Sequence, residues 1–375
     1  MVMSFGAMTA VAQTLSLHGQ ASGWLTSVPD KSPVTQVGVR YIPELFAGEK
    51  LDGMFAIDMD LSLNSYAVGN YERNTQADYE EALKAYRAWI RFYSTTFELR
   101  AGLQKINFGS ATLFRPLMWF DKVDPRDPLQ LTSGVYGLLA RYYFLDNANI
   151  WVWGLYDNDD TKGLETVPTA KNTIEYGGRV QTPLWTGELG ATYHHRKADF
   201  LKDVRIARYY WPPAVPEDRF ALDGKWDVGV GAWFEAALTH DQIDVPGLRY
   251  QRQWTVGADY TFDIGNGLTA LTEYFRSDTP ETAFGPSNGL GFSALSLNYP
   301  LGVIDRISGI LYRDWTNHEW YRLVTWQKTY DNWIIYLFGF WNPKNIQLYR
   351  TQISGQAGSN SFAGTGVQLM VVFNH

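Results

Sequence analysis

The sequence predicts an all-β chain: a transmembrane, antiparallel, up-and-down β-barrel of about 18 strands, with 16 as the nearest competitor. Three observations carry this. Apolar and polar residues alternate with period two through many segments of about 10 to 14 residues. Tight turns and longer loops alternate between those segments, as at the two rims of a membrane barrel. Aromatic residues are abundant (15 Trp, 23 Tyr and 20 Phe), which suits a wall with aromatic girdles at both membrane interfaces.

No run of about 18 apolar residues occurs, so helical membrane spans are excluded. A mean hydropathy of −0.25 is compatible with strands that are apolar outside and polar inside. A soluble chain of 375 residues would split into two domains; one closed sheet need not. A propeller needs a fixed repeat of roughly 40 to 50 residues, and none is present. The absence of cysteine excludes disulfides, thiol catalysis, iron–sulfur clusters and covalently attached haem. A net charge of −7 argues against a nucleic-acid partner.

Residues 1–12 read as the remnant of a secretory signal: a short apolar segment, then Ala10-Val11-Ala12 as a cleavage site. A basic leader is missing, and a hydrophobic first strand is the alternative. Residues 13–375 then form a single barrel domain.

The first strand runs from Thr14 to Thr26, with Ser16, His18, Gln20 and Ser22 inward. Val34–Pro43 is the second, and Phe46–Lys50 turns the chain. In Leu51–Tyr66, Phe55, Ile57, Met59, Leu61 and Leu63 form one face; Asp58, Asp60, Ser62 and Asn64 form the other. A polar segment follows, with a helical turn at Asp78–Leu83. Ala85–Tyr93 and the strand around Phe97–Leu103 come next, then Val135–Phe144, Ala148–Asp157, Thr173–Thr182 and Gly187–Arg196. Arg219–Leu222 and Trp226–Thr239 flank Asp223-Gly224, a short-hairpin signal. Leu248–Phe262, Leu268–Ser277, Leu290–Tyr299, Val303–Trp315, Glu319–Tyr330, Trp333–Trp341 and Gly364–Phe373 complete the wall.

One stretch departs from this pattern. From Phe108 onward the alternation stops, and 106–134 is a long connection rich in Leu, Phe, Met and Trp. Such a segment is too apolar for disorder and must be buried. In a barrel it can be buried only against the inner wall, so 106–134 is expected to fold into the lumen and constrict it.

Taken together, the chain resembles a Gram-negative outer-membrane porin, near the alginate-export and related porin-like families. The alternating connections, the long third loop and the terminal strand GTGVQLMVVF carry the resemblance. Val367, Leu369, Val371 and Phe373 fit the terminal signal read by the assembly machinery, although Asn374-His375 follow the Phe. The resemblance implies a bacterial outer-membrane location, contact with outer-membrane lipid, and a homotrimer as one option. It also implies that Arg115, Asp121, Lys122, Asp124, Arg126 and Asp127 of the third loop are constriction candidates.

Inward faces independently place Asp58 and Asp60 near Arg87, Arg91, Glu98 and Arg100. Lining charges and pore width set selectivity. The competing role for all these charges is mutual pairing that only holds the loop to the wall. Asp124-Pro125-Arg126-Asp127-Pro128 reads more readily as a rigid turn than as a ligand site. Trp119, Phe120, Tyr209, Tyr210 and Trp211 could line a sugar path, with loop packing as the plainer role.

Nothing points to catalysis or to a cofactor. His194-His195 is the one close histidine pair, and adjacent strand residues face opposite ways, so no metal is expected there. The expected function is passive diffusion of small hydrophilic solutes or ions. The alternative is a non-conducting barrel serving as scaffold, adhesin or sheath for an electron-transfer partner.

Overall fold

The computed structural model describes residues 14–29, 35–51, 54–72, 78–200, 214–245, 247–344 and 362–375. Eighteen strands form one sheet: β1 (Thr14–Ser27), β2 (Thr35–Lys50), β3 (Ala56–Tyr71), β4 (Asp78–Tyr93), β5 (Phe97–Gln104), β6 (Val135–Tyr143), β7 (Asn149–Leu155), β8 (Glu175–Leu184), β9 (Gly187–Ala198), β10 (Val215–Asp227), β11 (Gly231–Asp241), β12 (Tyr250–Phe262), β13 (Leu268–Asp278), β14 (Gly289–Pro300), β15 (Asp305–Asp314), β16 (Trp320–Thr329), β17 (Trp333–Trp341) and β18 (Thr365–Asn374). Each pairs antiparallel with its neighbours in the chain, and β18 returns to β1. The sheet is thus a closed barrel without an edge. The last residue completes the seam: Gly19 N donates to His375 O (2.9 Å) and His375 N to Gly19 O (3.0 Å).

The period-two pattern sorts side chains as expected. On β3, Leu61 and Leu63 are exposed outward while Asp58 and Ser62 are buried inward. Outward residues near the middle of other strands are also apolar and exposed, among them Val39, Leu138, Val180, Leu222 and Leu337. Exposed aromatics mark both rims: Tyr142, Phe144, Tyr260, Phe262 and Trp333 by the short turns, Tyr136, Tyr156, Tyr176, Trp320 and Trp341 by the long connections.

Several boundaries differ from the sequence expectation. The residues 46–50 continue β2 instead of turning, and just beyond them Leu51 N donates to Phe55 O (2.8 Å). Asp78–Leu83 is strand, not a helical turn. The cause is a β-bulge: Ser62 pairs with Arg87 and Leu63 with Ala85, leaving Tyr86 as the extra residue. The bulge resets the alternation, so both Arg87 and Glu80 face inward on one strand while the sequence loses its period.

Asp223-Gly224 is also not a turn. The pairing of β10 with β11 runs on to Asp227 opposite Gly231. The chain reverses at Asp227–Gly229, where Gly229 has φ +86° and its N–H donates to Asp227 Oδ1 (3.1 Å). Asp223 is inward and buried, held by Arg179 Nη2 at 2.9 Å. The inter-strand ladder and this ion pair together override a local turn preference. The expected signal remnant at 1–12 and the aromatics Tyr209, Tyr210 and Trp211 lie outside the described residues.

Candidate pore constriction

The connection from β5 to β6 leaves the wall at Lys105 and crosses to strands on the other side of the barrel. Irregular backbone inside a barrel needs partners for its N–H groups. Two inward glutamates supply them. Glu235 on β11 accepts from Ala111 N (2.8 Å) and Leu117 N (3.0 Å). Glu273 on β13 accepts from Thr112 N (2.7 Å), Leu113 N (2.9 Å) and Phe114 N (2.6 Å), and from Trp233 Nε1 (3.0 Å). Thr255 Oγ1 on β12 donates to Phe114 O at 2.8 Å. Neither glutamate stands out in the sequence, where each is one more inward polar residue.

Apolar contacts act with these bonds. Ile106, Phe108, Leu117, Trp119 and Phe120 pack on Leu139, Trp153, Leu155 and Ala237. Leu113 and Phe114 pack on Phe275, Phe292, Tyr312 and Tyr321. Leu129 reaches a third cluster with Tyr66, Phe338 and Met370. The segment therefore touches the wall on several sides. Trp119 and Phe120 are buried in this packing, with Phe108 5.6 Å from Trp119 and edge-on.

The connection from β7 to β8 also folds inward, which the polar sequence of 158–172 did not reveal. Leu164 N donates to Met118 O (3.3 Å), and Lys122 Nζ to Thr161 Oγ1 (2.8 Å). Gly163 has φ +44°, and a Cβ there would lie 1.7 Å from Met118 O, so only glycine permits this contact. Lys162 Nζ reaches Glu175 (3.0 Å), and Glu165 reaches Arg219 (2.9 Å) and Arg196 (3.2 Å).

Several of the strand charges lie together. Arg91 Nε donates to Asp58 Oδ1 (2.9 Å), and Glu98 lies 2.9 Å from Arg100 and 3.9 Å from Arg91. Arg87 donates to Thr132 O (3.2 Å), tying the loop's return to the near wall. Asp60 stays inward, its Oδ1 buried without a hydrogen-bond partner. Arg141, missed in the sequence, joins Glu98 at 3.6 Å. Arg91, Arg100 and Arg141 remain partly exposed and lie over aromatic faces, Arg100 4.7 Å from Trp89 and Arg141 3.8 Å from Trp151. The result is an arginine-rich inner surface on β4 to β6.

The loop charges divide. Arg126 and Asp124 are both buried and bonded to each other (Nη2 to Oδ2, 2.7 Å), with Asp127 Oδ1 taking Leu129 N at 2.9 Å. Arg115 bonds Asn107 and Phe108 O within the loop. Lys122 is spent on the neighbouring connection, and its burial lowers its pKa. Asp121 differs. It is 1 % exposed, and neither carboxylate oxygen has a hydrogen-bond partner. Burial pushes its pKa up to about 6, against the opposing positive fields of Lys105, Arg115 and Arg87. Burial also raises Asp127, opposed by the Leu129 N–H.

His194 and His195 do face opposite ways: His194 is inward on Trp153 and Glu175, His195 on Asp218. Among the described residues no cluster of three or more His, Cys, Asp or Glu is arranged to hold a metal ion.

No family model matches the chain, and no curated protein sequence matches it. Solved structures do. OmpF of Salmonella typhi, determined in complex with daunomycin, is 13% identical, with a TM-score of 0.51 over 96% of this chain and 97% of that one. In vitro folded OmpT, an outer membrane protein of Vibrio cholerae in a trimer form, is 12% identical, with a TM-score of 0.49 over 96% and 99%. A mutant of the Rh. blastica porin is 12% identical, with a TM-score of 0.48 over 96% and 100%. The OmpF likeness, with the closed antiparallel sheet, gives the fold: the chain is an 18-stranded β-barrel of the porin type.

Proposed function

We propose that the chain is a passive outer-membrane channel for small hydrophilic solutes or ions, with residues 106–134 as its constriction. The carrying observation is the loop bonded across the lumen to Glu235 and Glu273 while partly exposed arginines line the wall of β4 to β6. Apolar outward residues between two aromatic rims support a bilayer location. Arg91, Arg100, Arg141, Asp58, Glu98 and Asp60 line the path; Asp121 contributes charge from the loop. Arg126, Asp124 and Asp127 stiffen the loop, and Arg87, Arg115 and Lys122 fasten it. No reaction belongs to this reading. A homotrimer and recognition of the terminal strand by assembly machinery come with the resemblance; an unboiled gel of the folded protein and refolding of a Phe373→Ala variant test them.

Single-channel recording in a planar bilayer tests the central reading. Stable open steps with a measurable reversal potential under a salt gradient are expected. A non-conducting barrel is the second reading, favoured by the loop's apolar contacts on several sides of the wall. Silence from a folded, heat-modifiable barrel would establish it instead.

A further inference from the structure

The lumen beside the third loop holds a cavity of about 280 Å³, close to the lower end of the range for small-molecule sites. The loop lines most of it, and the wall closes it with Phe275 on β13 and Phe292 on β14. These two phenylalanines are buried on the inner face, directly opposite each other in the β13–β14 pairing. Phe114 of the loop stacks on Phe275 (ring centroids 5.5 Å apart, 21° between planes) and lies 6.0 Å from Phe292. Met118, Val123 and Leu164 extend the apolar surface.

Among the described residues, Arg115 is the one charged side chain in the lining. It is partly exposed. Its bonds, both from Nη2, go to neutral groups, Asn107 Oδ1 and Phe108 O (3.2 Å). A guanidinium has five N–H donors, so these bonds hold it at the cavity wall and leave donors for a further partner. Two buried carboxylates feel its charge, Glu235 and Asp121, and neither lines the cavity. Glu235 is occupied by the N–H groups of Ala111 and Leu117, and Asp121 also lies in the fields of Lys105 and Arg87. The cavity therefore presents one cationic fork beside aromatic surface, with no lining carboxylate to answer it.

We infer that this cavity binds an aromatic monocarboxylate of single-ring size, its carboxylate on Arg115 and its ring against Phe114, Phe275 and Phe292. The guanidinium fork matches a planar carboxylate through two parallel hydrogen bonds. Aromatic rings prefer offset or edge-on contact with other rings, and three phenylalanines offer it. The neutral polar groups of Asn107, Thr112 and Gln130 can hydrogen-bond a ring hydroxyl but answer no second charge. The inference rests on the channel reading only in making the bound molecule a solute in transit through the constriction.

Calorimetry on the folded barrel in detergent tests it, with benzoate as the probe and benzamide and acetate as comparisons. Wild type should bind benzoate at least about tenfold more tightly than benzamide, the discrimination one charge-assisted pair supplies. It should prefer benzoate to acetate, which lacks the ring, by about tenfold or more. Arg115→Gln should abolish the preference over benzamide while keeping heat modifiability, and Arg115→Lys should retain part of it. Phe292→Leu should weaken binding of benzoate and benzamide alike. Equal binding of benzoate and benzamide by wild type, acetate bound as tightly as benzoate, or an unchanged preference in folded Arg115→Gln would overturn the inference. Benzoate binding without any conductance would sink the channel reading and leave this one standing. Conductance without a benzoate preference would do the reverse.

Discussion

Glu273 Oε2 accepts the backbone N–H of Phe114 at 2.6 Å, although 159 residues separate them in the chain. That bond joins the third loop to the far wall. With it, Glu273 takes three consecutive N–H groups that would otherwise lie unpaired.

Glu273→Ala should release the loop. Unpaired buried N–H groups each cost about 1–3 kcal/mol, so the loop leaves the wall before the barrel opens. Single-channel recording should show larger, noisier openings than wild type. Unchanged conductance would show that the apolar contacts alone hold the loop.

Gly163→Ala should separate the two inward connections. A Cβ there meets Met118 O at 1.7 Å, in a backbone conformation that side chains disfavour. Limited proteolysis should cut the variant between 156 and 174 where wild type resists. Gly302→Ala is the control: a Cβ there meets nothing within 4 Å, and stability should stay within about 0.5 kcal/mol.

Arg100→Ala and Arg141→Ala should each shift the reversal potential toward cations, because they leave Glu98 less compensated at a partly exposed surface. Arg126→Ala should act differently. It strands a buried Asp124, and losing one partner of a buried pair costs about 3–5 kcal/mol. Thermal unfolding should report that loss, with little change in selectivity among the channels that still fold.

Asp121 should make the loop pH-dependent. Its pKa is raised from 3.8 to about 6, so the folded state holds a proton that the unfolded state has lost. Between those values stability falls as pH rises, by roughly 3 kcal/mol across the window. Asp121→Asn should flatten that slope and be the more stable form at pH 7. Above pH 6 the ionised carboxylate adds negative charge, so cation preference should rise in wild type and not in the variant. A reversal potential with the same pH dependence in both would exclude Asp121 from the path.

Local chemistry alone determined much of this protein. Period-two alternation such as Phe55 to Leu63 specifies which face meets the outside, because a one-residue slip would bury Asp58 and Asp60 in the apolar belt. Counting alternations and turns yields 18 strands, and the loss of alternation from Phe108 onward marks the segment that must find cover inside.

Tertiary structure decided the partners. Period two says that Glu235, Glu273 and Asp241 face inward, but not which distant groups reach them. Glu273 becomes an anchor only because closure brings β13 opposite a loop leaving β5. Asp223-Gly224 is strand because Arg179, on β8, claims the Asp. Arg126 serves the turn and Arg141 the lumen because burial and pairing across strands, rather than residue type, decide whether a charge is spent or available. Hydrophobic alternation is a short-range signal carried by each segment; pairing across the lumen depends on how the sheet closes, and no local stretch encodes that distance.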